Sequence, residues 1–248
     1  MIPRGECFEK SVKDILFYSA ACALVAVFGI LIYSASQKVA FQADASPSAP
    51  KPIIIIDVGH GGEDGGAVAD DGTLEKDLNL SIATYLYQYF QEQGFDTIIT
   101  RTEDVALGDQ NLSTIRERKR SDLQKRVEIM NSYPNSITIS IHQNKFEQSK
   151  YYGTQVFYSV NDADSVKLAE SIRASVVKDL QPNNKRETKP ATESIYVLNH
   201  AQYTAVLVEC GFVSNAEELA NLKDIAYQKK LAYGIFSGFL DYYKSALG

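Results

Sequence analysis

The chain has 248 residues, 45% of them hydrophobic, and a net charge of −6; this is enough for a sizeable core in one large domain or two small ones. Residues 1–50 hold four basic and four acidic side chains, so the whole deficit belongs to residues 51–248, and a surface of that sign repels phosphates and argues against a nucleic-acid partner. The three cysteines, Cys7, Cys22 and Cys210, are scattered, and no pair has zinc-ribbon spacing.

In chain order, the first element is an uncharged run, residues 15–37. Its most apolar part, from Ile15 to Ala35, is long enough to span a bilayer as a helix. Arg4, Lys10 and Lys13 precede it, which predicts a cytoplasmic N-terminus and an exported remainder. A cleaved signal peptide is the competing reading, since Ala43-Asp44-Ala45 has the small-x-small form of a cleavage site. The length of the apolar run favours an uncleaved anchor. Cys22 follows Ser19-Ala20-Ala21, but the apolar run continues past it, so it reads as a membrane-buried cysteine rather than a lipid-attachment site. Residues 38–52, with three prolines and many small side chains, read as an extended linker. The expected organisation is therefore a tip and anchor over 1–37, a linker over 38–52 and one folded domain over 53–248.

Ile53 to Ile56 is a β-branched run expected to form a strand buried on both faces. A glycine-rich loop follows. Leu74, Leu78, Ile82, Leu86 and Phe90 then recur at helical spacing, with Gly94 as the stop. Phe95 to Thr100 reads as a second strand, Arg101 to Ser121 as irregular, and Leu123, Val127 and Met130 as a short helix. Strands are expected over Ser136–Ile141 and Thr154–Tyr158, and a helix around Val166, Ala169, Ile172, Val176 and Leu180. After a loop over 181–193 come strand candidates at Ile195–Leu198 and Ala205–Val208. Ser214 and Glu217 read as a capping box, and Ile225 to Tyr243 as a long final helix. This alternation implies an α/β domain with a mostly parallel central sheet flanked by helices.

His60 ends the first strand, His142 ends the third, Glu75 opens the first helix, and Glu209 ends the apolar run AVLVE. Open α/β sheets place their sites at such strand ends, and a carboxylate at the end of a buried strand is costly unless paired or metal-linked. Catalytic zinc commonly takes three histidine and carboxylate ligands and leaves a fourth position open. His60, Glu75 and His142 match that count, with Glu209 left to handle protons. Spacing alone leaves this open against separate loop histidines. His200, in LNHAQY, falls outside the pattern and reads as a loop residue. Arg126 reads as a structural ion-pair partner, Arg101 and Asp104 as shaping a loop near the cleft, and Cys210 as core.

Across residues 53–245 the blocks IIIIDVGHGGEDGGA, LEKDLNLSIA, ITRTED, DLQKRVEIMN with SISIHQN, and AVLVECGFVSN occur in order. In these the chain resembles the zinc-dependent N-acetylmuramoyl-L-alanine amidases of the third amidase class. The resemblance implies that His60, Glu75 and His142 are zinc ligands and Glu209 the catalytic glutamate. It also implies peptidoglycan as substrate, cut between the lactyl group of N-acetylmuramic acid and L-alanine. The chain departs from the pattern at Gln143, at Lys145-Phe146 and at Thr204, where the family often has a proline; these departures bear on substrate preference.

A single catalytic domain behind a hydrophobic segment is similar to the spore-cortex, germination-related amidases, which act on the way to muramic δ-lactam. This implies action at the outer face of the cytoplasmic membrane or in the forespore intermembrane space, with an activating protein partner. The alternatives are a vegetative turnover or division amidase, a zinc peptidase cutting within the stem peptide, and an inactive peptidoglycan-binding protein of the same fold.

Overall fold

The isoleucine run does form a strand: β1 (Ile54–Val58) is buried along its whole length, as expected of a strand covered on both faces. In the computed structural model, which describes residues 51–247, it lies inside a six-stranded sheet of order β2-β1-β3-β6-β4-β5. The other strands are β2 (Thr97–Ile99), β3 (Ile137–Asn144), β4 (Gln155–Tyr158), β5 (Lys189–Pro190) and β6 (Ala205–Phe212). Every pairing is parallel except β4 with β6. The apolar N-terminal segment, the cleavage site and the linker up to residue 50 lie outside the described residues. Among the described residues no helix is long and apolar enough to cross a membrane.

Helices cover both faces, giving one three-layered α/β domain. On one side α1 (Glu75–Glu92), α3 (Asp164–Asp179) and α6 (Ile225–Leu247) enclose the larger core. Phe90 of α1 packs edge-on against Phe236 and Phe239 of α6, and Val206, Val208 and Cys210 of β6 point into this layer. The Cys210 expectation is thus met: the thiol is fully buried. On the other side α2 (Ile115–Asn131) and the single turn α4 (Tyr196–Asn199) enclose a smaller cluster of Met130, Val197, Leu198 and Leu207. The short helix α5 (Ala216–Lys223) follows β6.

Four local expectations need correction. Ile195–Leu198 is not a strand: Tyr196–Asn199 forms α4, because a four-residue apolar run does not distinguish a buried strand from a buried helical turn. Helix α2 begins at Ile115, well before Leu123, so residues 115–121 are not irregular. Its start is set by Thr114, whose hydroxyl accepts from the Glu117 amide while the Glu117 carboxylate accepts from the Thr114 amide. The cap of α5 is Asn215, which accepts from the Glu217 and Glu218 amides; the Ser214 hydroxyl instead accepts from the Phe146 amide. Finally, 181–193 is not all loop, since Lys189–Pro190 forms the edge strand β5, a place where proline's missing N–H costs nothing.

Strands β3 and β6 also run past His142 and Glu209. These two residues pair directly, and Asn144 then pairs with Phe212. Two residues of β3 thus face three of β6, so β6 carries a bulge. Cys210 and Gly211 turn toward the α5 and α6 side, where Gly211 faces Leu222 and Glu218. Phe212 returns to the face that carries Glu209.

Candidate active site

Four of the side chains singled out above meet at the C-terminal edge of the sheet. His60 follows β1 in a left-handed conformation, φ 60°, which costs about 1 kcal/mol or more in a residue other than glycine. Two guanidiniums hold it there: the His60 carbonyl accepts from Arg101 Nε at 2.8 Å and from Arg126 Nη2 at 2.7 Å. His60 Nδ1 lies 2.9 Å from Asp64 Oδ2, which turns Nε2 toward Glu75 Oε1, 3.2 Å away. His142 brings Nδ1 within 2.9 Å of the same Glu75 oxygen. One donor atom from each of His60, Glu75 and His142 lies within 4.8 Å of the others.

The backbone around this cluster is shaped to let it close. A Cβ on Gly66, φ 67°, would stand 2.6 Å from Glu75 Oε2 and 2.7 Å from the His60 ring, and one on Gly59 would overlap the His142 ring. Any side chain at either position forces the ligand-type groups apart. Glu75 is further fixed by the Ala67 amide at 2.8 Å, the Gln143 amide at 3.0 Å and Asn79 Nδ2 at 3.3 Å. Gln143, a departure from the family pattern, also donates from Nε2 to Asn79 Oδ1.

Burial pushes the Glu75 carboxyl up, but hydrogen bonds from His142 and His60 outweigh it and hold the group well below the usual carboxylate range. Burial opposes a charged His60 ring, yet Asp64 and Glu75 raise it to about 9. Glu209 differs. It sits beside His142 across the β3–β6 ladder, its Oε2 is buried with no hydrogen-bond partner among the described residues, and burial raises its carboxyl to about 7.

Behind the cluster lies a buried ion network. Arg126, only 2% exposed, donates to Asp57 and to the Val58 carbonyl, both at 2.6 Å, and to Asp122 at 2.6 Å. Burial opposes ionisation of Asp57, but Arg126 and the Ser140 hydroxyl outweigh it and keep the carboxyl low. Arg126 is therefore the structural ion-pair partner expected of it. Arg101 reaches the carbonyls of Gly59, His60 and Lys76, and Asp104 accepts from the Gly62 amide and from Lys76, so both shape the glycine loop. His200 stays outside the cluster, stacked on Tyr196. Asp57, Asp64 and Asn79 complete the site without having stood out in the sequence. Asp57 carried a signal, as a lone carboxylate inside a buried apolar strand, and Asp64 stands four residues from His60.

A cleft of about 260 Å³ opens over these groups, with Glu209 and Leu207 on the sheet and Leu123, Ile195, Tyr196 and Val197 as its wall. Two imidazoles and a carboxylate converging at a sheet edge, beside a carboxylate left unsatisfied, form the donor set of a mononuclear metal hydrolase. The chain belongs to the Amidase_3 family, N-acetylmuramoyl-L-alanine amidase, whose model matches residues 54–241. It is 37% identical over 191 residues to the germination-specific N-acetylmuramoyl-L-alanine amidase of Bacillus subtilis, covering 77% of this chain and 79% of that protein. It is 31% identical to the amidase LytC of the same organism, over 77% of this chain but 35% of LytC. The CwlD amidase of Clostridioides difficile, solved in complex with the GerS lipoprotein, superposes with a TM-score of 0.75 at 40% identity, covering 79% of this chain and all of that one.

Proposed function

We propose that this chain hydrolyses the amide between the lactyl group of N-acetylmuramic acid and L-alanine in peptidoglycan, with zinc held by His60, Glu75 and His142 and with Glu209 as the catalytic residue. The observation that carries the reading is the convergence of the three donor atoms within 4.8 Å beside the unsatisfied Glu209 Oε2, in a chain of this family.

The residues present suit the metal. Two imidazole nitrogens and one carboxylate oxygen match zinc's preferred protein donors, and three of them leave a position free for chemistry. Asp64 accepts a hydrogen bond from His60 Nδ1 and so leaves the Nε2 lone pair facing inward for a metal. The hydrogen bonds that Glu75 Oε1 shares with both rings use the same lone pairs that a divalent cation uses on displacing the protons.

Zinc bound there supplies Lewis acidity toward the amide carbonyl and toward water. Glu209 takes a proton from the attacking water at Oε2, which no protein donor occupies. It returns that proton to the departing alanine nitrogen, so the leaving group is an amine. Arg101 and Arg126 keep the His60 backbone in its strained conformation, and Gln143 and Asn79 keep Glu75 from turning away.

Dialysis of the full chain against a strong chelator is expected to lower turnover at least about a hundredfold, and one equivalent of zinc to restore it. Undiminished turnover in protein with no measurable metal contradicts the proposal.

The organisation proposed is a membrane anchor over 1–37, a linker over 38–52 and the catalytic domain over 53–248, placing the enzyme at the outer face of the cytoplasmic membrane or in the forespore intermembrane space. The germination-specific relative supports a role in germination, which we place in the spore cortex, on the way to muramic δ-lactam. The CwlD–GerS complex supports a protein partner, to which we assign an activating role. Deleting the gene is expected to remove muramic δ-lactam from cortex muropeptides; unchanged δ-lactam content points to vegetative wall turnover instead.

A further inference from the structure

One strand beyond Glu209, outside the cleft and linked to it through Gln155, stands a cation that the chemistry above does not use. Gln155 of β4 pairs directly with Glu209 of β6. In an antiparallel pair such side chains leave the same face with Cβ atoms about 5 Å apart. Gln155 Oε1 accepts from Arg186 Nη1 at 3.0 Å, and Arg186 Nε donates to the Tyr152 carbonyl at 2.7 Å. The guanidinium lies 4.4 Å above the Phe212 ring and 5.7 Å from that of Tyr151. The bulge in β6 is what brings Phe212 to this face.

The backbone of Arg186 is pinned as well. Its amide donates to Asn184 Oδ1 at 3.0 Å, and Asn184 Nδ2 donates to the Thr154 carbonyl at 2.8 Å. The carboxylate that faces Arg186 is Glu218, and both its oxygens are taken, by the Gly153 amide at 2.9 Å and the Phe212 amide at 2.8 Å. Arg186 Nη2 donates to no group among the described residues. Lys150 stands over the Tyr151 ring, and Lys185 and Glu187 are both exposed on either side of Arg186.

The two arms of the substrate differ in charge. The glycan arm offers hydroxyls and neutral acetamides, whereas the stem peptide carries carboxylates. The cleft on the other side of Glu209 joins apolar Leu123, Ile195 and Val197 to charges that are paired with one another, Lys119 with Asp64 and Arg126 with Asp122, which suits an uncharged arm. With Nε held by Tyr152 and Nη1 by Gln155, the guanidinium stacked on Phe212 keeps Nη2 to take a carboxylate oxygen, and a pinned guanidinium binds without first being ordered. Resting on the amidase reading, we propose that Arg186 determines specificity: its guanidinium binds a carboxylate of the stem peptide while the scissile amide lies at Glu209.

The test uses the full, zinc-loaded chain and two substrates, uncrosslinked glycan strands with native stem peptides and the same strands with their carboxylates converted to amides. Wild type is expected to show about tenfold higher kcat/KM on native strands, carried by KM. Arg186→Gln brings that ratio to about one, and Arg186→Lys, which keeps the charge but not the hold on both Gln155 and Tyr152, retains part of it. A role confined to clasping the loop onto Tyr152 does not distinguish the two substrates. The inference is overturned if wild type shows no preference, if Arg186→Gln keeps the wild-type ratio, or if it slows both substrates by the same factor with the ratio intact. If wild type cleaves neither substrate, the amidase reading itself falls and this inference falls with it.

Discussion

Glu209→Gln is expected to lower kcat by about two to four orders of magnitude while zinc content stays at the wild-type level. Glutamine preserves the shape of the side chain but cannot take a proton, and Glu209 is outside the cluster of donor atoms. A role in holding the metal predicts the opposite, loss of zinc together with loss of activity. The same substitution should change stability in a pH-dependent way in metal-free protein. Burial raises the Glu209 carboxyl from 4.5 to about 7, so between those values the folded state binds a proton that the unfolded state has released. Stability therefore falls as pH rises from about 4.5 to about 7, and stays lower above that. Glutamine carries no such cost. Metal-free Glu209→Gln should thus be more stable than metal-free wild type at pH 8, on the order of 1–3 kcal/mol, and equal to it near pH 4. Denaturant melts at the two pH values check this, and an equal difference at both would contradict it. In the zinc-loaded enzyme the dication favours the Glu209 carboxylate, so the acid limb of kcat/KM is expected below pH 7.

The largest effect on folding is expected at Arg126. Replacing it with methionine fills much of the space but leaves Asp57, fully buried, with only Ser140 and Thr100 as hydrogen-bond partners. Removing one member of a buried ion pair leaves the other charge uncompensated and typically costs about 3–5 kcal/mol. The carbonyls of Val58 and His60 lose a donor as well. Urea titrations of Arg126→Met should show a loss in that range. The double variant Asp57→Asn/Arg126→Met should be more stable than Arg126→Met alone, because the stranded charge is gone. A loss below about 1 kcal/mol, or a double variant that loses the sum of the two single costs, would refute this account of the network.

Much of the site was legible in the sequence because its members are charged residues where uncharged ones are expected. His60 follows the end of β1, Glu75 opens α1, His142 and Glu209 stand a few residues before the ends of β3 and β6, and their family blocks fall in order. The parallel sheet was legible from β-branched runs alternating with helical spacing. What escaped was governed by contacts between distant segments or by surfaces with no apolar period. The first two turns of α2 are mostly exposed, so only the Thr114–Glu117 cap marked their start. Asp57 and Arg126 are 69 residues apart, and nothing local in either segment announces the partner. The bulge that carries Phe212 to the Glu209 face is a property of the register between β3 and β6, which AVLVECGFVSN does not encode by itself.

The central claim is that Glu209 and the His60–Glu75–His142 cluster cut one particular bond. It is tested most directly by digesting peptidoglycan with the full chain and with Glu209→Ala, and identifying both ends of the cleaved bond by mass spectrometry. Wild type is expected to free an L-alanine amino terminus and leave an intact lactyl group on muramic acid, and Glu209→Ala to do neither at a comparable rate. New termini within the stem peptide, or the same products at the same rate from both proteins, would contradict it.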